Sequence, residues 1–114
     1  MGPKYYDEAK MRDVRTRLEA DVLKWPGVES KEMMVCLCYF RGRKFFAFLI
    51  TNGIVITKLE KEDRMRFLER EGSKLFEMSG RTASSWIQIP LKKPRDLVPV
   101  LPYVRKSYVA ASER

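Results

Sequence analysis

The densest chemistry in this chain is cationic. Arg41, Arg43 and Lys44 surround Gly42, so three positive side chains fall within four residues at a turn signal. At an exposed tip such cations can meet successive phosphates, as a wing lying along a nucleic-acid backbone does. The competing explanation is solubility, since charges also guard a hydrophobic strand edge against pairing with another chain. Lys92, Lys93 and Arg95 form a second group ahead of the last helical segment, with Arg81 in the preceding link. Cations before a helix start oppose its macrodipole at a cost of roughly 0.3–1 kcal/mol, and a bound anion there would offset it. Lys58 closes an otherwise apolar run. Beside a pocket it can hold a phosphate or carboxylate as a point charge; otherwise it faces solvent or pairs with Glu60 or Glu62. Trp25 and Trp86 could stack on exposed bases. Trp25 continues a helical apolar stripe and reads as core, whereas Trp86 alternates with Ile87 and falls on the more exposed face. Tyr5 and Tyr6, if exposed, could cover a partner or dimer surface.

Other chemistries find little support. The chain has no histidine, which removes the commonest general base, the commonest zinc ligand and any Ser-His or Cys-His nucleophile pair. The acids are scattered along helices, and no two share an apolar frame that would split their pKa values for acid–base work. No phosphate-cradling or nucleophile-elbow glycine motif occurs. Cys36 and Cys38 stand two apart, on one face of a strand, in poor geometry for a mutual disulfide. They read as buried thiols of an intracellular, cytoplasmic protein, and no metal site can be assembled around them. The expectation is a non-enzyme without cofactor or metal. With 23 Lys plus Arg against 15 Asp plus Glu, a net +8 attracts polyanions, nucleic acid first among them. No apolar run is long enough to span a bilayer, and neither candidate helix for a membrane surface is depleted in acids as such a helix would be.

These residues need a scaffold. At 114 residues and 45% apolar composition the chain reads as one domain, 1–114, with a ragged end at 1–4. Over 5–25, Met11, Val14, Leu18, Val22 and Trp25 recur at helical spacing, Glu8–Arg12 and Asp13–Arg17 stand four apart as ion pairs, and Pro26-Gly27 stops the helix. Apolar runs at 33–40 and 45–50 around the Gly42 link predict a hairpin, the second strand covered on both faces or lying mid-sheet. Asn52-Gly53 predicts a type I′ turn into a third strand, 54–58. A charged helix follows over 60–71, with Met65, Leu68 and Phe67 as its buried edge and Gly72 as its cap. Strands at 76–78 and 86–91 flank a polar link at 80–85. A last helix over 96–112 has Asp96 as N-cap and a stripe of Leu97, Leu101, Val104, Tyr108 and Ala111, with Pro102 kinking it or delaying its start. The order α-β-β-β-α-β-β-α predicts an α+β domain, its antiparallel sheet covered on one face by the terminal helices.

A resemblance runs through residues 10 to 112. Trp25-Pro26-Gly27-Val28, Arg41-Gly42-Arg43-Lys44-Phe45-Phe46-Ala47, Ile56-Thr57-Lys58, Gly72-Ser73-Lys74-Leu75-Phe76, Trp86-Ile87-Gln88-Ile89-Pro90 and Leu101-Pro102-Tyr103-Val104-Arg105-Lys106-Ser107-Tyr108 carry it. The chain resembles the TfoX amino-terminal domain family and, nearly as much, the YjbR/MmcQ family. The resemblance implies the same α+β order, no enzymatic activity and no cofactor, with DNA binding as suggested for YjbR-like proteins. Met33-Met34-Val35-Cys36 stands where TfoX-type domains carry a glycine-rich strand start, and the carboxy-terminal half of a full TfoX regulator has no counterpart here. The expected function is phosphate contact by Arg41, Arg43, Lys44, Lys58, Arg81, Lys92, Lys93 and Arg95. The alternative is a protein-interaction or homodimer module that binds no nucleic acid.

Overall fold

A computed structural model describes residues 6–33, 36–70, 72–78 and 80–112; the ragged end, Tyr5 and the Met34–Val35 part of the expected first strand lie outside them. The elements are α1 (Glu8–Val22), β1 (Val28–Met33), β2 (Cys36–Arg41), β3 (Lys44–Ile50), β4 (Gly53–Ile56), α2 (Lys61–Leu68), β5 (Lys74–Met78), β6 (Arg81–Pro90), a 3-10 turn (Pro94–Leu97) and α3 (Leu101–Ala111). The six strands form one antiparallel sheet in the order β1-β2-β3-β4-β6-β5. The α+β class and the terminal helices on one face are as expected; one more strand opens the sheet. That strand, β1, reads Val-Glu-Ser-Lys-Glu-Met. It is polar because it is an edge, paired only with β2, so no apolar run announces it.

Asp7 caps α1 by accepting the Ala9 N–H, and Met11, Val14, Leu18 and Val22 form its buried stripe. Trp25 lies past the helix end but still packs on Tyr108 and Phe46. The ion pairs of α1 differ from those expected: Arg15 bridges Glu8 and Glu19, and Arg17 meets Asp21. In α2 the buried edge is Phe67, set against Tyr103, and Asp63, paired with Lys106; Met65 and Leu68 are exposed. Eight residues make too short a helix to bury a full stripe, so two anchors hold it. Pro102 delays the last helix, and the residues before it form the separate 3-10 turn. At the β3–β4 turn only Asn52 has positive φ, so the turn is not type I′. Gly53 already belongs to β4, where an added Cβ would lie 3.0 Å from the Ile89 carbonyl oxygen; close approach of β6, not turn geometry, requires glycine there.

A bulge in β3 aims the central side chains. Tyr39 pairs with Ala47 and Phe40 with Phe45, which leaves Phe46 as an extra residue. Its side chain joins Ala47 on the helix face, while Phe45 and Phe48 point to the other face. The Phe46 carbonyl accepts from the Thr57 N–H at 3.2 Å and from Ser107 Oγ at 2.6 Å. Ser107, fully buried, also accepts the Lys58 N–H at 3.0 Å. Ser107→Ala strips both backbone groups of that hydroxyl, and a loss of about 1–3 kcal/mol is expected in urea denaturation. An unchanged midpoint would mean that water takes the hydroxyl's place.

Candidate functional site

Strand register decides which cations meet. Ala47 pairs with Ile56, and Ile56 with Ile87. Moving from these rungs back along β3, forward past β4 and back along β6, the chain reaches Lys44 and Arg43, then Lys58, then Arg81. These four therefore lie toward one end of the sheet. In the other direction the rung Ile50–Gly53–Pro90 leads to the loop holding Lys92, Lys93 and Arg95, and the Leu91 N–H donates to the Asn52 carbonyl at 2.9 Å. The length of β3 separates the two groups, roughly 20 Å at about 3.3 Å per residue. One patch holding all eight expected residues is not what the fold builds.

Arg41 leaves the group for a different reason. Its guanidinium donates to the Tyr108 carbonyl at 3.3 Å and lies 4.1 Å from the Tyr108 ring centroid, so it ties the hairpin to α3. The far loop also has its own compensation. Asp96 caps this loop and the 3-10 turn rather than the long helix: its Oδ2 accepts the Lys92 N–H at 2.9 Å and the Lys93 N–H at 3.0 Å. Those backbone hydrogen bonds hold the Asp96 carboxyl below its usual range. Both bonds are to backbone; the Lys92, Lys93 and Arg95 side chains themselves are exposed and take part in no salt bridge among the described residues.

Arg43 and Arg81 are exposed and Lys58 half-buried; none of the three takes part in a salt bridge among the described residues. Lys44 is half-buried at the strand start. Lys58 Nζ stands 6.0 Å from the Phe45 ring centroid. It also borders a cleft of about 370 Å³ in which Lys106 Nζ meets Asp63 at 3.2 Å.

Beside this end the helix-free face of the sheet carries an aromatic cluster. Cys36, Cys38, Phe48, Ile50, Val55 and Phe76 form its floor, and half-buried Phe40, Phe45 and Trp86 pack against them. No helical residue among those described joins it. The residues at 81–85 are strand, not link, and exposed for the most part because they overhang. Between the rungs Leu75–Ile87 and Glu77–Thr82, β5 advances two residues and β6 five, an irregularity that brings Phe76 within 5.2 Å of Phe48 and 6.1 Å of Trp86 between ring centroids. Trp86 meets Phe45 edge-on at 5.3 Å and Phe48 at 5.6 Å. The result is a groove of about 340 Å³ that Arg81 itself lines, with Phe40, Phe45 and Trp86 on its walls.

The groove's two thiols are held in their neutral form. Burial pushes the Cys36 thiol up to about 12 and raises Cys38 as well, so neither is a thiolate at neutral pH. Among the described residues no cluster of His, Cys, Asp and Glu could hold a metal ion, and no helix is long and apolar enough to cross a membrane. Phe40 and Phe45 escaped the sequence reading of the site. The available signal was their position on either side of the Arg41–Lys44 turn, with Phe40 in phase with Cys36 and Cys38. No protein-family model, curated protein or solved structure matches this chain.

Proposed function

We propose that this chain is a small non-catalytic binding domain that holds a polyanion, nucleic acid in the first place, through phosphate contacts at one basic end. Arg43, Lys44, Lys58 and Arg81 make the contacts; Lys92, Lys93 and Arg95 form a separate group at the other end of the sheet and are left outside this footprint. The observation that carries this reading is the register that gathers four cations, from three separate segments, at one end of a chain with net charge +8. Membership of the TfoX or YjbR/MmcQ family and a cytoplasmic location, with Cys36 and Cys38 as free thiols, belong to the same proposal.

Salt titration of a labelled DNA duplex tests it. Log affinity against log salt is expected to fall with a slope no steeper than about −4, near −0.9 per phosphate met. Arg43→Glu combined with Arg81→Glu flattens that slope by about two, whereas Lys92→Glu with Lys93→Glu leaves it nearly unchanged. No binding of either the duplex or a single strand at about 50 mM salt, where electrostatic attraction is strong, would sink the reading. The helix-free apolar face favours a second reading, a protein-interaction or homodimer module without nucleic acid. A clean monomer by sedimentation at high concentration removes its homodimer form.

A further inference from the structure

From the aromatic groove we infer that the nucleic acid bound is single-stranded, with unstacked bases lodged against Trp86, Phe45 and Phe40 while the cations at the rim hold the phosphates. The inference rests on the phosphate reading above and deepens it. Single-strand sites combine a positively charged track with aromatic rings on which bases stack, and every base offers a π-face to such rings. Both halves meet at this groove, with one cation in its lining and two beside it. Arg81 lines it, Lys58 Nζ reaches over the Phe45 ring, and Arg43 sits at the tip that Phe40 and Phe45 flank. The rings are held in place by edge-on contacts of Trp86 with Phe45 and Phe48 and of Phe40 with Phe45, and by a tilted Phe45–Phe48 contact, so little side-chain freedom remains to be lost on binding. A duplex keeps its bases stacked inside the helix and could offer this groove only its backbone, leaving the apolar walls unused. Charge complementarity selects the occupant: a purely apolar partner would leave the cations at the rim unanswered.

The test uses the full chain and three probes of about 12 nucleotides, within the span that single-strand sites cover: oligo-dT, oligo-rU and a mixed-sequence duplex. At about 50 mM salt a single strand is expected to bind at least about 10-fold tighter than the duplex and to quench tryptophan fluorescence. The ratio of oligo-dT to oligo-rU affinity names the sugar. Trp86→Phe keeps a ring in place but removes most of the quench, because Trp25 lies on the helix face of the sheet. Trp86→Ala weakens single-strand binding by about 5- to 150-fold and leaves duplex binding unaltered. Should Trp86→Ala fail to fold by circular dichroism, the strand preference and the Trp86→Phe quench decide alone. Equal binding of strand and duplex without quenching overturns the inference while the phosphate reading stands. No binding of any probe overturns both. A dimer of the free protein that Trp86→Ala disperses would assign the groove to a second copy and overturn the inference likewise.

Discussion

Phe46→Ala is expected to remove about 3–5 kcal/mol of stability, the range for truncating a buried phenylalanine. Domains of this kind are stable by about 5–15 kcal/mol, so the variant should stand near the edge of folding at room temperature. Phe46 is fully buried, its ring 5.5 Å from that of Tyr108 and 6.3 Å from that of Trp25 between centroids. It occupies the bulge, and its ring meets both α3, at Tyr108, and the segment after α1, at Trp25. Phe45→Ala, one position away on the groove face and half-buried, should lose less than half as much. Guanidinium denaturation of the two variants reads the difference directly. Equal losses would mean that the bulge does not divide these neighbours between opposite faces.

The second large effect is alkaline. Burial pushes Cys36 up to about 12. Burial also raises Tyr39, reinforced by the hydrogen bond its hydroxyl donates to Glu19 at 2.8 Å, and raises Tyr6, which donates likewise to Glu8. In the unfolded chain these groups release their protons at ordinary values, about 8.5 for cysteine and 10 for tyrosine. Between the unfolded and folded values the folded state holds more protons, so stability falls as pH rises. The contribution is complete below about pH 8.5 and drains away through the folded values, at up to about 1.4 kcal/mol per pH unit for each group. Cys36 alone accounts for a loss of roughly 3 kcal/mol between about pH 8 and pH 11, and the two tyrosines add to it above about pH 10. Urea midpoints measured across that window should fall, and tyrosinate absorbance should appear together with unfolding. Cys36→Ala and Tyr39→Phe should each flatten the decline; a slope identical to wild type would show that the group ionises without unfolding the chain.

Local pattern carried much of this protein. The stripe Met11, Val14, Leu18 and Val22 follows from 3.6-residue spacing, as do Val104, Tyr108 and Ala111, because a helix turns at the same rate wherever it lies. Cys36 and Cys38 share a face because a strand alternates every residue. The apolar residues of both parities in β3 required cover on both sides, and the structure supplies it with the helices on one face and the aromatic cluster on the other. Where burial is slight, composition was silent. β1 is polar because it is an edge, the start of β6 because it overhangs, and α2 buries Phe67 rather than Met65 because tertiary anchors outweigh an eight-residue pattern. The grouping of charges was beyond any local rule. Arg43, Lys58 and Arg81 are joined by strand pairings between residues far apart in the chain, and a different register would have sorted them otherwise. Arg41 turned inward onto Tyr108 through a contact that exists only once the chain has closed on itself. The residue types that can bind a polyanion are a property of the sequence; which of them act together is a property of the pairing.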